Sequence, residues 1–538
     1  MRYPDGFEGT FSEVAAHHFA GLFTLPKKEE VEDGAPKKSL LQHLLELNAM
    51  QWITFWCGWL AWTTDALDFF AVSLSVTRLT EQFDRPTTTI TQSITLTLLF
   101  RSLGALIFGL ASDRYGRRWP LVFVLVIIVA LQIGTSFTQT FHQFLACRSL
   151  FGIAMGGVWG MASATSLEML PVEVRGLASG VLQQGYAVGY LIGAVMNLWL
   201  VPKNPHTWRS LFWVAAGISG FAAIFRAVLP ESPLFLRAKA DREQAERDAI
   251  ARGEPIPSGS EKTRIFFRQI WLMLKTHWLL CIYAVLLMTG FNFLSHGSQD
   301  IYPTYLQSDK LLSSQLATKA TIIGNCGAVA GGTIAGLVSQ HLGRRLTMLL
   351  FILLIGCFIP LWIIPGTFSP LAAGAFCVQF GVQGAWGVIP IHLAEMSPTA
   401  FRATFPGLMY QMGNMVSSAS SQIESTGAAH LKTTVHGKVV GNYAKVQGIL
   451  LGTVAIFTFI IIAIGPEKHG SHFERSKMAF EEGAGLDEIA AGRENVYAGG
   501  RVVEHGDVEA SGSRQSPPRK ESFDEEKTPE KGEEIERV

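Results

Sequence analysis

The sequence predicts an all-α polytopic membrane protein with twelve transmembrane helices in two related halves, and three observations predict this fold class. Of the 538 residues, 48% are hydrophobic and only 16% are charged, which is too apolar for an ordinary soluble enzyme. Apolar stretches recur, and each can cross a hydrocarbon core of about 30 Å with roughly 20 residues. The second half of the chain also repeats motifs of the first half, which indicates a duplication.

Twelve apolar stretches lie between a polar tail at each end. Their approximate limits are 51–76, 89–112, 119–138, 143–166, 176–200, 209–229, 277–302, 317–339, 346–365, 370–395, 403–425 and 447–465. We therefore divide the chain into an N-terminal tail (1–48), a first six-helix bundle (49–229), a linker loop (230–276), a second six-helix bundle (277–465) and a C-terminal tail (466–538).

The duplication has a constant offset of 227 residues, which relates EMLP at 168–171 to EMSP at 395–398. The same offset relates Trp159 to Trp386, Gly116 to Gly343, Arg117 and Arg118 to Arg344 and Arg345, and Gln184 to Gln411. A register held over this length predicts two pseudo-symmetric halves.

Basic residues favour one side of the predicted spans. That side carries Lys27, Lys28, Lys37, Lys38, Arg114, Arg117, Arg118, Arg175, Arg344, Arg345, Arg402 and the 230–276 loop. The positive-inside rule makes this side cytoplasmic, with both termini inside, although Lys432, Lys438 and Lys445 on the other side weaken the contrast.

The two tails are polar. The C-terminal tail is too poor in apolar residues to fold, so we expect a disordered segment open to regulatory kinases or the ubiquitin machinery. In the N-terminal tail, which has no signal-peptide pattern, we interpret His17 and His18 as solvated residues.

Composition and spacing also exclude several function classes. The formal net charge of zero gives no electrostatic footprint for nucleic acid. Six cysteines occur singly, without Cys-x-x-Cys spacing, so neither a metal site nor a disulfide framework is predicted. No nucleophile triad is apparent, and we expect neither an enzyme nor a cofactor.

The segment 291–306 places polar groups inside a predicted span. At about 100° per residue, one helical arc of roughly 140° holds Asn292, Ser295, His296, Gln299 and Asp300. Pro303 should then kink or end the helix. Ionisable groups at membrane depth mark an ion or substrate pathway by default, although a polar seam between helices remains an alternative.

Further charged groups lie in the first half. Arg101 is a cation in an apolar run, and a guanidinium suits bidentate capture of a carboxylate; tethering to a neighbouring acid, or snorkelling to the interface, is the alternative. Asp65 and Asp68 share one face of the first helix. Proton transfer, pairing with Arg101 and helix packing all remain open for them.

Several motifs resemble those of the major facilitator superfamily. GLASDRYGRR at 109–118 and its copy GLVSQHLGRR resemble the family's loop motif, with Gln340 and His341 altered in the copy. Arg148, Gly152 and Gly156 resemble its fourth-helix motif, and PESPLFL from Pro230 resembles the sequence after the sixth helix of sugar and organic-acid porters. The resemblance implies two six-helix bundles around a central cavity, with alternating access.

Charged residues near the loop motif and its copy are predicted to gate the carrier through salt bridges that break as the bundles rock. These residues are Asp113, Arg114, Arg117, Arg118, Glu168, Arg175, Arg344, Arg345, Glu395 and Arg402.

A narrower resemblance covers the polar helix. Asn292-x-x-Ser295-His296-x-Ser298-Gln299-Asp300-x-x-x-Thr304 is similar, at every specified position, to the signature of fungal Jen-type monocarboxylate permeases, which are proton symporters for lactate and pyruvate. The resemblance implies functional roles for Asn292, His296, Asp300, Arg101, Gln411 and Asn414.

These residues together predict a plasma-membrane symporter that imports short monocarboxylates with protons. Substrate binding is assigned to Arg101, Asn292, Ser295, Gln299, Gln411 and Asn414, and proton coupling to His296, Asp300, Asp65 and Asp68. Transport of dicarboxylates or other organic acids, and a non-transporting carboxylate receptor, remain the alternatives.

Overall fold

The computed structural model describes residues 10–23, 38–231, 233–253, 259–398, 401, 404–435 and 437–469. Arg402, Lys27, Lys28 and Lys37 lie outside these ranges, as do residues 470–538 of the predicted C-terminal tail. Within the described ranges the chain is almost entirely helical, apart from one short β-hairpin.

Eleven helices lie in the described residues of the first half and of the segment before it. They are α1 (Phe11–Gly21), α2 (Leu40–Glu46), α3 (Ala49–Ser73), α4 (Val76–Phe83), α5 (Thr87–Ile90), α6 (Gln92–Tyr115), α7 (Arg118–Ser136), α8 (Phe141–Gly156), α9 (Val158–Leu167), α10 (Val172–Trp199) and α11 (Arg209–Val228), with a 3-10 turn at Val201–Lys203 before α11.

The linker and the second half follow the same plan. Their elements are α12 (Pro233–Ala251), α13 (Gly259–Thr276), α14 (Trp278–Gln299), α15 (Tyr302–Ser308), α16 (Ser314–Leu342), α17 (Arg344–Ile363), α18 (Phe368–Met396), α19 (Thr404–Ser417), α20 (Ser420–His430), β1 (Lys432–Val435), β2 (Lys438–Gly441) and α21 (Tyr443–Ile464). The two strands pair antiparallel, with Lys432 opposite Gly441.

Ten helical stretches in the described part of the chain are long and apolar enough to cross a membrane. The other two predicted spans, 51–76 and 403–425, correspond to α3 and to the α19–α20 pair. Both are helical, but α3 carries two aspartates, and α19 and α20 are separately short and rich in polar residues. Both spans that fall below this criterion supply buried polar groups.

The halves repeat each other in packing as well as in sequence. In the first half α3 packs on α10, α6 on α8 and α7 on α11; in the second, α14 packs on α19, α16 on α18 and α17 on α21. Across the halves, α6 contacts α19 and α10 contacts α16. This arrangement confirms the predicted fold of two pseudo-symmetric six-helix bundles.

The α10–α16 contact between halves depends on glycines that let two backbones approach closely. A Cβ built on Gly180 would lie 2.3 Å from the carbonyl oxygen of Gly332, and one built on Gly336 would lie 2.8 Å from the Cα of Gly180. Side chains at these positions would separate the helices, so the seam between the bundles requires glycine here.

We call the end of the bundles that carries the α6–α7 loop and the linker helices the linker end, and the opposite end, with the β-hairpin, the hairpin end. At the linker end, Thr404 donates from its hydroxyl to the Asp113 carboxylate across the two halves. At the hairpin end, Gln422 Nε2 donates to Thr88 O over 2.7 Å, again across the halves. The halves therefore touch on both sides of the centre.

The N-terminal segment corrects one interpretation. His18, predicted to be solvated, is only 6% exposed, and its Nδ1 lies 2.8 Å from Ile464 O. The guanidinium of Arg345 donates to His18 O over 3.0 and 3.1 Å. Val14, His18 and Leu22 are each four residues apart and form one helical face, which packs on the linker end of α21.

Candidate functional site

Arg101 lies at the centre of the molecule, on α6, and pairs with Asp65 of α3. Its Nη2 is 3.4 Å from Asp65 Oδ2, and both side chains are fully buried. The guanidinium also lies over the Tyr410 ring, 5.5 Å from the ring centre. Among the described residues, Nε and Nη1 of Arg101 and Oδ1 of Asp65 have no hydrogen-bond partner. The pair is thus charge-balanced but retains two free donors.

A chain of four side chains runs through the second half, from α14 to α19. His296 Nδ1 lies 3.0 Å from Asp300 Oδ1, and His296 Nε2 lies 2.9 Å from Asn414 Oδ1. Asn414 Nδ2 donates to Gln411 Oε1 over 2.6 Å. All four residues are at most 1% exposed. Gln411 Nε2 has no partner in the described part of the chain, so the chain ends on a free donor.

The directions of the hydrogen bonds among these four side chains limit which of their atoms can carry protons. Because the Asn414 amide gives its NH₂ to Gln411, its oxygen faces His296, and His296 Nε2 must donate. The contact between His296 Nδ1 and Asp300 then needs one shared proton, since two lone pairs would otherwise face each other. Imidazolium with carboxylate and imidazole with carboxylic acid both satisfy it, and in either form the pair has no net charge.

Two breaks in the helices meet beside this chain. The polypeptide leaves α14 after Gln299 and becomes helical again at Tyr302, just before Pro303, as the sequence predicts. The second break, between α19 and α20, precedes Ser421, whose hydroxyl donates to Asp300 Oδ2 over 3.1 Å. Discontinuous helices of this kind form binding sites in many transporters.

Ser295 and Gln299 belong to a second group that faces α18. Ser295 Oγ donates to Gln299 Oε1 over 3.2 Å, and Gln299 Nε2 donates to Gln379 Oε1 over 2.6 Å. Gln383 Nε2 lies 3.5 Å from Ser295 Oγ. The predicted polar face of α14 therefore divides between two neighbours, with His296 and Asp300 on the α19–α20 side.

Asn292 has a different set of contacts. Its Nδ2 donates to Met288 O over 2.8 Å and to Tyr410 O over 3.3 Å. The side chain therefore ties α14 to the backbone of α19 one residue before Gln411. Ser102, next to Arg101, donates to Gln411 O over 2.7 Å, so this stretch of α19 is held from both halves.

Asp68 points away from Arg101 and into the first bundle. Gln132 Nε2 donates to Asp68 Oδ1 over 2.8 Å, and Ser219 Oγ donates to Asp68 Oδ2 over 2.7 Å. Arg148 Nη1 donates to Gln132 Oε1 over 2.8 Å, which extends the network to α8. Of the two aspartates on α3, Asp65 is the one beside Arg101, and the contacts of Asp68 are those of helix packing.

Aromatic rings surround the site. The Phe69 ring of α3 meets the His296 ring edge to face, with centroids 5.7 Å apart. Tyr410 lies between Trp159 at 4.7 Å and Trp386 at 5.5 Å, and these two tryptophans are related by the repeat. The rings exclude water and strengthen the electrostatic interactions inside.

The predicted gating residues form two equivalent salt bridges at the linker end. Arg117 Nη2 lies 2.6 Å from Glu168 Oε1 in the first half. In the second half Arg344 binds Glu395 through two hydrogen bonds of 3.0 and 3.1 Å. Both pairs are related by the offset of 227 residues. Burial opposes the charge of the Arg117 guanidinium, but Glu168, Asp113 and Glu231 together raise its pKa above the usual value.

The other predicted gating residues have separate contacts. Arg175 Nε donates to Leu170 O over 2.8 Å, and the Arg114 guanidinium lies over the Tyr115 ring. The backbone N–H of Arg118 donates to Glu231 Oε2 over 3.0 Å. Arg345 donates to His18 O, as described above, and its Nε donates to Ile462 O at the end of α21 over 3.0 Å.

Sequence reasoning missed several residues. Glu231 and Glu467 accept hydrogen bonds from backbone N–H groups just after Gly116 and Gly343, the two glycines with φ of 93° and 91° that close the repeated loop motif. Deeper in the bundles, the missed polar residues include Gln132, Gln379, Gln383, Tyr410, Ser421, Glu424 and Gln447. Their roles depend on proximity between helices. The serine-rich run at 417–421 is the one signal that could have indicated the break between α19 and α20.

Known proteins share this sequence and architecture. The sequence pattern of the "Sugar (and other) transporter" family matches residues 45–480. A relative from Saccharomyces cerevisiae, named "Carboxylic acid transporter protein homolog", is 37% identical over 434 residues, covering 80% of this chain and 70% of the relative. The "Cis,cis-muconate transport protein" of Acinetobacter baylyi is 26% identical over 367 residues, covering 68% of this chain and 84% of the relative.

A solved structure has the same fold. The xylose transporter XylE from E. coli superposes with a TM-score of 0.59, at 17% identity, over 76% of this chain and 97% of that chain. Another structure of XylE is described as a major facilitator superfamily protein. These relatives confirm the predictions of a multi-pass membrane transporter rather than an enzyme, and the yeast relative agrees with the Jen-type resemblance. The chain therefore belongs to the sugar (and other) transporter family of the major facilitator superfamily.

Proposed function

We propose that this chain imports organic acids, and specifically short monocarboxylates such as lactate and pyruvate, together with protons by alternating access. The observation that carries the proposal is the set of free donors at the centre: Arg101 Nε and Nη1, and Gln411 Nε2, which have no partner among the described residues. Buried donors without partners are unfavourable unless a ligand binds them. An anion with two oxygen atoms on one carbon suits such donors.

The carboxylate binds at Arg101 in this account. One N–H of Nη2 is used by Asp65, which fixes the guanidinium. The second N–H of Nη2 forms a two-donor edge with either Nε or Nη1, which have no partners among the described residues, and such an edge can bind a carboxylate bidentately. Gln411 Nε2 binds a further oxygen, such as the hydroxyl of lactate or the keto group of pyruvate. Asp65 Oδ1 is a free acceptor and suits a hydroxyl donor on the same ligand.

Proton coupling follows from the charges of the two pairs. Without substrate, Arg101 with Asp65 and His296 with Asp300 each have no net charge. A bound carboxylate adds one negative charge, and a second proton on the His296–Asp300 pair adds one positive charge. Moving an uncompensated charge through the membrane interior is unfavourable, so only the empty carrier and the fully loaded carrier reorient readily.

The orientation of the carrier follows from its basic residues. The linker end holds Arg114, Arg117, Arg118, Arg175, Arg344 and Arg345, which favours the cytoplasmic side of a plasma membrane and cytoplasmic termini. The salt bridges of Glu168 and Glu395 lie at this end and act as gates that break when the bundles rock. The proton is the only coupling ion in this account, and the tails are open to regulatory modification.

A second candidate is transport of larger or doubly charged organic acids. It is favoured by the similarity to a cis,cis-muconate transport protein, since muconate has two carboxylates. Among the described residues, the central group has Arg101 as a cation with free donors, and this favours one carboxylate per site.

Uptake of labelled lactate, pyruvate and succinate into permease-deficient cells tests the proposal. We expect uptake of the two monocarboxylates to rise as external pH falls, with little uptake of succinate. Preference for succinate would favour the second candidate. No uptake of any acid by surface-expressed protein would contradict transport and favour a receptor.

A further inference from the structure

Glu424, on α20, is a second buried acid beside the proton-coupling pair. Its side chain is fully buried, and both carboxylate oxygens accept hydrogen bonds from neutral groups: Gln447 Nε2 at 2.7 Å and Ser420 Oγ at 3.2 Å. No ion pair joins it to a cation among the described residues. Buried carboxylates that serve only structure are normally paired with a cation.

The position of Glu424 relates it directly to Asp300. Consecutive serines at the start of α20 bind the two acids: Ser420 donates to Glu424, and Ser421 donates to Asp300 Oδ2 over 3.1 Å. A Cβ built on Gly297 would lie 3.4 Å from Glu424 Oε1, so the carboxylate reaches the α14 backbone one residue after His296.

Glu424 also lies on one particular side of the pair. The helix α20 runs from Ser420 towards the β-hairpin, so Glu424 is one turn nearer the hairpin end than Ser421. The helix α14 runs in the same direction, so Asp300 is nearer the hairpin end than His296. The Glu424 carboxylate, however, turns back to Ser420 and lies against Gly297, so it is beside α14 between His296 and Asp300, on the side of α20 and α21. Its donor Gln447 is one turn from the start of α21, which places the carboxylate near the hairpin end.

Among the described residues that surround Glu424, the other acid is Asp300. The helix α14 contributes Asp300 and His296, and α21 contributes Gln447 and Tyr443, of which Tyr443 is titratable. The contacts of α20 with α5 and α6 use Gln422 and Ser425 on its other side. The strand β2 meets α20 at Ala428, through Gly441.

We propose that Glu424 is the proton-transfer residue that receives protons from the hairpin side and passes them to the His296–Asp300 pair. This inference rests on the proposed proton symport and adds the route by which the coupling proton arrives. Ser420 binds Glu424 and the next residue, Ser421, binds Asp300, so adjacent hydroxyls of α20 hold the two acids between which the proton moves. The transfer breaks the O–H bond of the Glu424 carboxylic acid and forms an O–H bond at Asp300 Oδ2, the oxygen not used by His296. Glu424 is left as a carboxylate and takes its next proton from the hairpin side.

The test compares the unchanged protein with Glu424→Gln, Glu424→Asp and Asp309→Asn in proteoliposomes. Asp309 is a buried acid near the hairpin end that accepts from Ala444 N over 2.8 Å, so Asp309→Asn is a matched control outside the transport machinery. Net uptake of labelled lactate is measured across a pH series on the hairpin side. Exchange of labelled for unlabelled lactate at equal pH is measured in parallel, because exchange needs no net proton movement.

For Glu424→Gln we expect net uptake driven by a pH gradient to fall at least about tenfold, a modest effect for a proton-transfer group, while exchange stays within about twofold. Glu424→Asp should recover part of the gradient-driven uptake, and Asp309→Asn should behave as the unchanged protein.

Two results would overturn the role of Glu424 but leave the proposed symport intact. One is a pH profile of Glu424→Gln equal to that of the unchanged protein. The other is an equal loss of exchange and net uptake, which would make Glu424 structural. Uptake without pH dependence by the unchanged protein would overturn the proposed symport, and the assignment with it.

Discussion

Arg101 Nη2 lies 3.4 Å from Asp65 Oδ2, with both side chains fully buried between the two bundles. The contact uses only Nη2 of the guanidinium and leaves Nε and Nη1 without partners in the described part of the chain. An arginine placed only for structure would use these donors as well. Pairing with Asp65 thus balances the buried charge of Arg101 and still leaves the guanidinium able to bind an anion.

Arg101→Lys should weaken substrate binding although the charge is kept. An ammonium is a point charge and cannot offer two parallel donors to a carboxylate, so we expect the apparent affinity for lactate to fall about tenfold to a hundredfold. Arg148→Lys is the control, since Arg148 is buried in the first bundle and contacts Gln132. Concentration-dependent uptake measures both, and normal affinity in Arg101→Lys would remove Arg101 as the anchor.

Asp65→Asn should separate binding from turnover. The substitution leaves the Arg101 charge without its carboxylate, so the empty carrier gains a net positive charge and reorients slowly, whereas bound lactate alone neutralises Arg101 and lets the loaded carrier reorient. We expect exchange of lactate to persist while net uptake falls at least about tenfold, as for an uncompensated charge in the membrane. A loss of affinity as large as that of Arg101→Lys would instead mean that Asp65 contacts the substrate.

Asp300→Asn should abolish proton coupling. An asparagine keeps the contacts with Ser421 and His296 but removes the negative charge that balances the first proton. With both ring nitrogens of His296 donating, the imidazolium balances the bound anion, whereas the empty carrier keeps a net positive charge. We expect uptake to become independent of external pH while exchange is retained. His296→Gln provides the matched variant for the other half of the pair, and a normal pH profile in both would contradict the assignment of coupling to this pair.

Asp68→Ala should lower stability rather than affinity. It leaves Gln132 and Ser219 with buried donors that have lost their acceptor, a loss of about 1–3 kcal/mol for each unsatisfied group. Thermal unfolding in detergent measures the change in stability. The stability of Asp68→Asn, which keeps one acceptor, should lie between those of Asp68→Ala and the unchanged protein. If Asp68→Asn keeps its stability but loses the pH dependence of uptake, Asp68 belongs to proton coupling, as the sequence predicts.

Glu395→Gln should shift the carrier towards a conformation that is open at the linker end. The change weakens the two hydrogen bonds with Arg344, so labelling of a cysteine placed at Ala394 should become faster. Glu168→Gln is the equivalent variant in the first half and should act in the same direction. Slower labelling in both variants would contradict a gating role.

Much of this architecture is predictable from the sequence because it depends on local or repeated patterns. Pro303 predicts the end of α14, and the offset of 227 residues predicts that Arg344 and Glu395 are equivalent to Arg117 and Glu168. These features follow from backbone chemistry and from duplication.

Other parts of the site depend on contacts between distant segments. Nothing near Glu424 in the sequence indicates that it lies beside Gly297, and the acceptors of Gln299 are on α18. The difference between Asp65 and Asp68 also arises in three dimensions: the residues are one turn apart, but one faces the seam between the bundles and the other faces α7 and α11.

The most direct test of the account is simultaneous measurement of labelled pyruvate and proton flux in proteoliposomes that contain the purified protein. A pH gradient alone should drive accumulation of pyruvate, with one proton moved per anion and no dependence on membrane potential, because the loaded carrier has no net charge. Pyruvate flux that is unaffected by the pH gradient, or that moves without protons, would contradict the neutral cycle of Arg101, Asp65, His296 and Asp300.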